Sequence, residues 1–253
     1  MMVRFSQHVL QKMKWGALII MGALLVLNVV YPPPLTKAYN QSIVVTDKDG
    51  QWLSVFPVED GRWRIKTDID DIDPRFVDAL LAIEDKRFWQ HSGVDPIAVI
   101  RAVRSWGRAG RAVSGASTIT MQLVRQLEPR PRTLGSKIIE TLRAVQIELR
   151  VSKREILSLY LTHAPYGGNI EGLEAASLIY FDKHPDQLTT AQIALLIALP
   201  QAPEARRPDR HIKTAQASRQ VILNKLLTLK MIDEHEYHEA LEENIPQNKT
   251  PIV

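Results

Sequence analysis

The chain has 253 residues, of which 45% are apolar, enough to bury one good core in one principal domain. It contains no cysteine, which excludes a disulfide framework, thiolate catalysis and Cys-ligated zinc. A formal net charge of +4 permits an anionic partner without demanding one, and no nucleic-acid partner is expected. At the N-terminus, residues 15–31 (WGALIIMGALLVLNVVY) form an uncharged apolar run preceded by Arg4, Lys12 and Lys14. A helix of that length reaches roughly 25 Å, the short end of what crosses a bilayer. Positive charge on its N-terminal side predicts a cytoplasmic tail at 1–14, an anchor at 15–31 and the remainder outside. Tyr31 and three prolines stand where a signal peptide would carry a small-residue cleavage site, so the anchor is expected to be retained.

Residues 32–65 read as a linker with a small β-sheet. Three prolines at 32–34 end the first helix stiffly. SIVVT (42–46), DKDG (47–50) and QWLSVF (51–56) then spell strand, turn and strand, and GRWRI (61–65) is expected to add a third strand. From Asp73 the pattern is helical, and 66–245 is expected to be the main domain, followed by a tail at 246–253. Asp73 is a cap with Pro74 in the first helical position. Helices are expected over 136–151 and 153–162. Thr189 with Gln192, and Asp233 with Glu236, are capping-box pairs that open two more. Between them AQIALLIALP is too short to span a membrane and reads as a buried core helix. The body is mainly α.

Two stretches carry chemistry. EDKRFWQHSGVD (84–95) places Glu84 in series with Val77, Leu80 and Phe88, so a carboxylate interrupts an apolar face. Such a group can serve as a general base; for a lone Glu, a buried ion pair with a basic neighbour is the commoner outcome. GASTITMQLVRQL (115–127) offers Ser117, Thr118 and Thr120 at a helix start, where free N–H groups favour anions. Gln122 and Arg125 follow on adjacent turns. Ordinary helix capping explains those hydroxyls equally well. Further on, Lys137 and Glu140 share a helix face, either as a solvated pair or as a second carboxylate and a phosphate-binding cation. Arg101, Arg104, Arg108 and Arg111, interleaved with Ile97, Ile100, Val103 and Trp106, would suit an anionic lipid surface as well as plain solvent.

Taken in order, these segments resemble the peptidoglycan glycosyltransferases of family 51. That family comprises the glycosyltransferase half of class A penicillin-binding proteins and the monofunctional transglycosylases. EDKRFWQHSGVD resembles its first motif, GASTITMQLVRQL its second and SKIIETLRAVQIE its third. KREILSLYLTHAPYGGNIEGLEAAS resembles the fourth, and ALLIALPQAPEARRPDR the fifth. Met121, APYGG and the PQAP…RPDR ending look most like the C-type class A proteins. The resemblance implies a lysozyme-like helical fold and polymerisation of lipid II into β-1,4-linked glycan strands, with release of undecaprenyl pyrophosphate. It implies Glu84 as general base on the acceptor 4-hydroxyl, with Asp85, Phe88 and His91 shaping that site. Ser117, Thr118, Gln122 and Arg125 would contact substrate. Glu140 would be the second functional carboxylate, and Lys137 would help neutralise the leaving pyrophosphate.

The chain departs from the family pattern at four positions, and the first of them removes one cation from the pyrophosphate side. Ser136 stands where an Arg is usual, Arg125 where a Lys is usual, Met121 for a common Gln and Thr162 for a common Asn. Loss of one charged hydrogen bond costs about 1.5–3 kcal/mol, enough to slow turnover without abolishing it. No tightly bound cofactor is expected. No His/Cys metal-ligand spacing is present, and a loosely held Mg²⁺ or Mn²⁺ would sit on the donor pyrophosphate. The implied partners are lipid II, the growing glycan chain, a membrane and other cell-wall synthesis proteins. The implied location is the bacterial inner membrane, single-pass, with the catalytic domain periplasmic. No transpeptidase region with an SxxK serine follows, so the expectation is a monofunctional enzyme or the front part of a longer penicillin-binding protein. Two competing readings are a lipid II-binding scaffold with impaired activity and a lytic hydrolase on the same fold.

Overall fold

The computed structural model describes residues 28–109 and 117–252, with isolated positions before them and only the backbone at 103 and 105–109. Two compact units emerge, Met1–Pro34 and Leu35–Val253. In the first, about half of the expected anchor at 15–31 falls outside the described residues. Among the described residues no helix is long and apolar enough to cross a membrane.

The second unit opens with a short helix, α1 (Leu35–Ala38), and an antiparallel hairpin of β1 (Ile43–Thr46) and β2 (Trp52–Phe56). The DKDG turn closes as its residues dictate: the Asp47 carboxylate accepts from the backbone N–H of Asp49 and Gln51, both at 2.8 Å. Gly50 supplies the positive φ of 82°. β3 (Trp63–Arg64) does form, but not in this sheet. It pairs in parallel with β5 (Ile170–Glu171), which also pairs with β4 (Pro165–Gly167), giving the order β3-β5-β4. The physical reason is the buried Glu171 carboxylate, which accepts from Arg64 Nε at 2.7 Å and also pairs with Arg62. A buried carboxylate stripped of its cations is costly, so this pair fixes β3 to the body rather than to the hairpin.

Helices dominate the remainder: α2 (Pro74–Glu84), α3 (Pro96–Ala109), α4 (Ile119–Leu127), α5 (Leu134–Glu148) and α6 (Lys153–His163) precede and flank β4 and β5. α7 (Leu173–Phe181), α8 (Thr190–Ala198), α9 (Ile212–Thr228) and α10 (Glu234–Glu242) complete the domain. The mainly α expectation holds, with small sheets. Asp73 caps α2 through Arg75 N–H at 2.8 Å, with Pro74 at the first turn. Both capping boxes are present, Thr189/Gln192 on α8 and Asp233/Glu236 on α10. α8 is buried from Ile193 to Ala198, as a helix apolar on all sides must be.

α4 is the helix that positions the site. It lies against both α5 and α6. Its Ile119, Leu123 and Val124 are fully buried, each worth about 1.5–3 kcal/mol relative to exposure. That burial fixes the rotation of the helix, and hence the direction of its two long polar side chains, Gln122 and Arg125.

Candidate active site

Glu84 is the last residue of α2, and the chain turns sharply after it at Asp85 (φ −154°, ψ 70°). The expected apolar series therefore stops at the helix end. Phe88 lies in a separate 3-10 turn, Phe88–Gln90, fully buried, with Lys153 Nζ 4.3 Å over its ring. It offers no surface to a substrate and acts by packing. Asp85 is also buried, and its carboxylate accepts from Ile119 N–H at 2.9 Å and faces His91 Nε2 at 3.0 Å. Asp85 thereby ties the loop after α2 to the N-terminus of α4, where the dipole favours its charge.

Gly93 completes that tie. Its φ of +89° is unfavourable to other residues, and a Cβ placed there would lie 2.7 Å from the Ala144 carbonyl carbon of α5. Its carbonyl accepts from Thr118 Oγ1 at 2.6 Å. Asp95 then caps α3 through Ile97 and Ala98 N–H, both at 3.0 Å, and holds the Arg87 guanidinium.

Thr118 is the N-cap of α4, its hydroxyl accepting from Met121 N–H, and Thr120 donates to Glu148 Oε1 at 2.6 Å. Both hydroxyls serve the fold. Ser117 differs: its Oγ accepts from Lys137 Nζ at 2.7 Å.

The two expected carboxylates are held from one helix by residues a single turn apart. Gln122 Nε2 donates to Glu84 Oε2 at 3.0 Å. Arg125 donates to Glu140 through Nε and Nη2, both at 2.9 Å, in a bidentate pair. Lys137 Nζ reaches the same Glu140 at 3.4 Å. The environments of the two acids are opposite. Burial acts to raise the Glu140 pKa, but Arg125 and then Lys137 outweigh it, and the group lies below its ordinary value of 4.5. Burial lowers Lys137 from 10.5; Glu140 opposes that shift and Arg125 adds to it.

Glu84 has no such cation. Its second oxygen accepts from Gln201 Nε2 at 2.9 Å, so both of its partners are neutral amides. Among the described residues, no Lys, Arg or His forms an ion pair with it, and the expectation of a salt-bridged buried Glu does not hold.

Nothing in the sequence pattern assigns an individual role to Gln201, Tyr160 or Arg206. Gln201 sits 117 residues from Glu84, in a 3-10 turn after α8. A glutamine between two prolines gives no local signal of the carboxylate it meets. Tyr160 is fully buried, and burial together with the nearby Glu84 charge holds its hydroxyl protonated well above the ordinary range.

A cavity of about 410 Å³ opens beside Glu84, lined also by Asp85, Lys86, Arg101, Ser117 and Thr118. Gln122 and Gln201 line a second, of about 310 Å³, with Arg62, Arg125 and Arg132. Glu84 thus lines one polar, cation-bearing cavity, and its two amide partners line another. A larger one of about 620 Å³, around Tyr39, Asp70 and Arg154, contains none of the expected site residues. Ser136 lies at the start of α5, where its Oγ and N–H engage the capping Thr133. Thr162 accepts from Thr67 N–H at 3.0 Å and is buried. Arg101 and Arg104 are exposed on α3; the side chain of Arg108 and all of Arg111 lie outside the described residues.

The depressed Glu140 pKa has a sign that can be checked. A carboxyl stabilised in its ionised form contributes fully above its unfolded value near 4.5, and the contribution is lost as pH falls through the lower folded value. Urea midpoints should therefore drop below about pH 4.5, with a shallower drop in Glu140→Gln. Parallel curves for the two proteins would refute that contribution.

The domain is α-helical and carries one carboxylate in an amide clamp and a second in a cation cluster. The family model described as Transglycosylase matches residues 49–227. The chain belongs to this family, the glycosyltransferases of family 51. Penicillin-binding protein 1C of Escherichia coli (strain K12) is 43% identical over 216 residues, covering 85% of this chain and 28% of its own. Penicillin-binding protein 1A of Aquifex aeolicus (strain VF5) is 40% identical over 187 residues, covering 74% and 26%. A crystal structure of penicillin-binding protein 1A from Haemophilus influenzae aligns over 85% of this chain and 22% of its own, at 21% identity and a TM-score of 0.44. The chain spans about a quarter of the length of the curated relatives it matches.

Proposed function

We propose that this chain is a peptidoglycan glycosyltransferase that polymerises lipid II. The observation that carries the reading is the contrast between its two acids: Glu84 beside a cavity and held by neutral amides, Glu140 saturated by Arg125 and Lys137. Glu84 takes the proton from the 4-hydroxyl of the acceptor sugar. The freed oxygen attacks the anomeric carbon of the donor, and the bond to the undecaprenyl pyrophosphate breaks on the opposite face. An α-linked donor then gives a β-1,4 product.

Glu140 is not a free acid or base in this scheme. It holds Arg125 and Lys137 where the departing diphosphate gathers charge, as preorganised cations do for phosphoryl groups. Ser117, bonded to Lys137, belongs to the same cluster. Asp85, His91, Thr118 and Phe88 act from behind, fixing the loop and helix that carry these groups. Among the described residues no group of three or more His, Asp or Glu side chains could hold a metal ion. A Mg²⁺ or Mn²⁺ would therefore rely on phosphate oxygens and solvent, with at most one or two carboxylates from this chain.

The lipid on both substrates places the reaction at a membrane surface. The apolar run at 15–31 supports a single-pass anchor in the bacterial inner membrane, with the domain outside the cytoplasm. Exposed Ile97, Val99 and Ile100 beside Arg101 and Arg104 on α3 support contact with anionic headgroups. The test is direct. Labelled lipid II incubated with the protein, with and without divalent cation, should yield glycan polymer and undecaprenyl pyrophosphate. Binding without polymer would overturn the enzymatic reading in favour of a scaffold, and soluble muropeptides from finished peptidoglycan would point to a hydrolase.

A further inference from the structure

Four side chains outside the acid itself form two short relays that end on Glu84. On one side Tyr160 Oη donates to Gln122 Oε1 at 3.4 Å, and Gln122 Nε2 donates to Glu84 Oε2 at 3.0 Å. On the other, Arg206 Nη1 donates to Gln201 Oε1 at 2.9 Å, and Gln201 Nε2 donates to Glu84 Oε1 at 2.9 Å. Arg206 Nη1 also donates to the carbonyl of Ala198, the last residue of α8, at 2.6 Å. The guanidinium is thereby fixed to the buried framework.

An amide side chain can turn over, because its oxygen and nitrogen have nearly the same shape. Whatever binds the oxygen decides which end faces the carboxylate. Arg206 can only donate, so Gln201 must present its NH₂ to Glu84. The consequence for a base is specific. Each carboxylate oxygen is pinned by one donor and keeps a second lone pair free. The positive charge of Arg206 orients the clamp while standing one side chain away, where it does not form an ion pair with Glu84.

We infer that Gln201 and Arg206 are positioning residues for the general base, setting the direction of the Glu84 lone pair that meets the acceptor hydroxyl. The inference rests on the reading of Glu84 as that base. Charged and titratable groups facing Glu84 are Tyr160 from α6, Arg206 behind Gln201, and Asp85, Lys86, Arg87, Asp95 and Arg101 on the cavity wall.

The experiment uses the full chain in detergent with labelled lipid II and follows kcat, KM and the pH profile of Gln201→Ala, Gln201→Glu, Arg206→Gln and Arg206→Lys. Gln201→Ala should lose about tenfold or more in kcat with little change in KM, because orientation rather than binding is removed. Gln201→Glu puts a second carboxylate within hydrogen-bonding distance of Glu84, so the pair must share a proton. The acidic limb of its kcat/KM profile should move up by about one pH unit or more. Arg206→Gln should resemble Gln201→Ala, and Arg206→Lys should recover much of the rate, since Nζ can still donate to both oxygens. A melting temperature close to wild type establishes that each variant folds, and the Arg206 pair decides if Gln201→Glu does not.

A folded Gln201→Glu with unchanged kcat and pH profile would overturn the inference, as would equal losses in Arg206→Lys and Arg206→Gln. If Glu84→Gln is inert while these variants behave as wild type, only the positioning role falls. If Glu84→Gln itself keeps the wild-type rate, both readings fall together.

Discussion

Glu84→Gln should abolish lipid II polymerisation, with a rate loss of about 10²–10⁴-fold, the usual contribution of a positioned general base. The substitution is nearly isosteric and leaves α2 ending at the same place, so the fold should survive it. Gln122 and Gln201 now face an amide whose oxygen satisfies only one of them, a small local misfit on a half-buried side chain. Lipid II binding should persist, because the cation cluster of Arg125 and Lys137 on Glu140 is untouched. The informative measurement is therefore a pair: polymer formation from labelled lipid II, and lipid II binding by the same preparation. Loss of the first with retention of the second is the expected result. Equal polymerisation by wild type and variant would remove Glu84 from the mechanism.

Gly93→Ala should be the most damaging of small substitutions. The backbone there has φ +89°, a region in which a side chain is strained, and the added Cβ meets α5 backbone atoms at 2.7–2.9 Å. Backbone of a packed helix cannot step aside as a flexible side chain would, so either the loop or α5 must move. A combined cost of about 3 kcal/mol or more follows from strain and overpacking. For a domain of this size that corresponds to a fall of about 6–12 °C in melting temperature. Activity should fall further than stability alone explains, because Gly93 O holds Thr118, the cap of α4. Calorimetry and the polymerisation rate well below the melting point separate the two effects. A variant within a degree of wild type would refute the close approach.

Where local chemistry decides structure, the sequence was readable. Asp73 with Pro74, Thr189 with Gln192 and Asp233 with Glu236 open helices as their residue types require. The hairpin and its DKDG turn are local as well. The failures share a cause, which is separation along the chain. β3 is a strand for reasons visible at 61–65, but its partner is chosen by Glu171, more than a hundred residues later. Phe88 has the spacing of a continuing helix, yet α2 stops at Glu84 and the ring turns into the core beneath Lys153. The site was legible as residue types and illegible as pairings. Glu84, Gln122, Arg125, Lys137 and Glu140 do come together, and nothing in the spacing of a Gln between prolines announces that it closes over Glu84.

The expected weak point also acquires a physical description. Ser136 is not merely a missing cation: with Thr133 it forms part of the cap that starts α5, the helix that carries Lys137 and Glu140. A long basic side chain at this position would have to coexist with that cap.

α4 works as a ruler with two marks. Gln122 and Arg125 are one turn apart, and each grips an acid from a different helix. Adding or removing one residue between 122 and 125 would turn one mark about 100° away from the other. Neither acid could then be held without losing its counterpart. The length of this stretch is locked to the two contacts as firmly as its buried side chains are to the core.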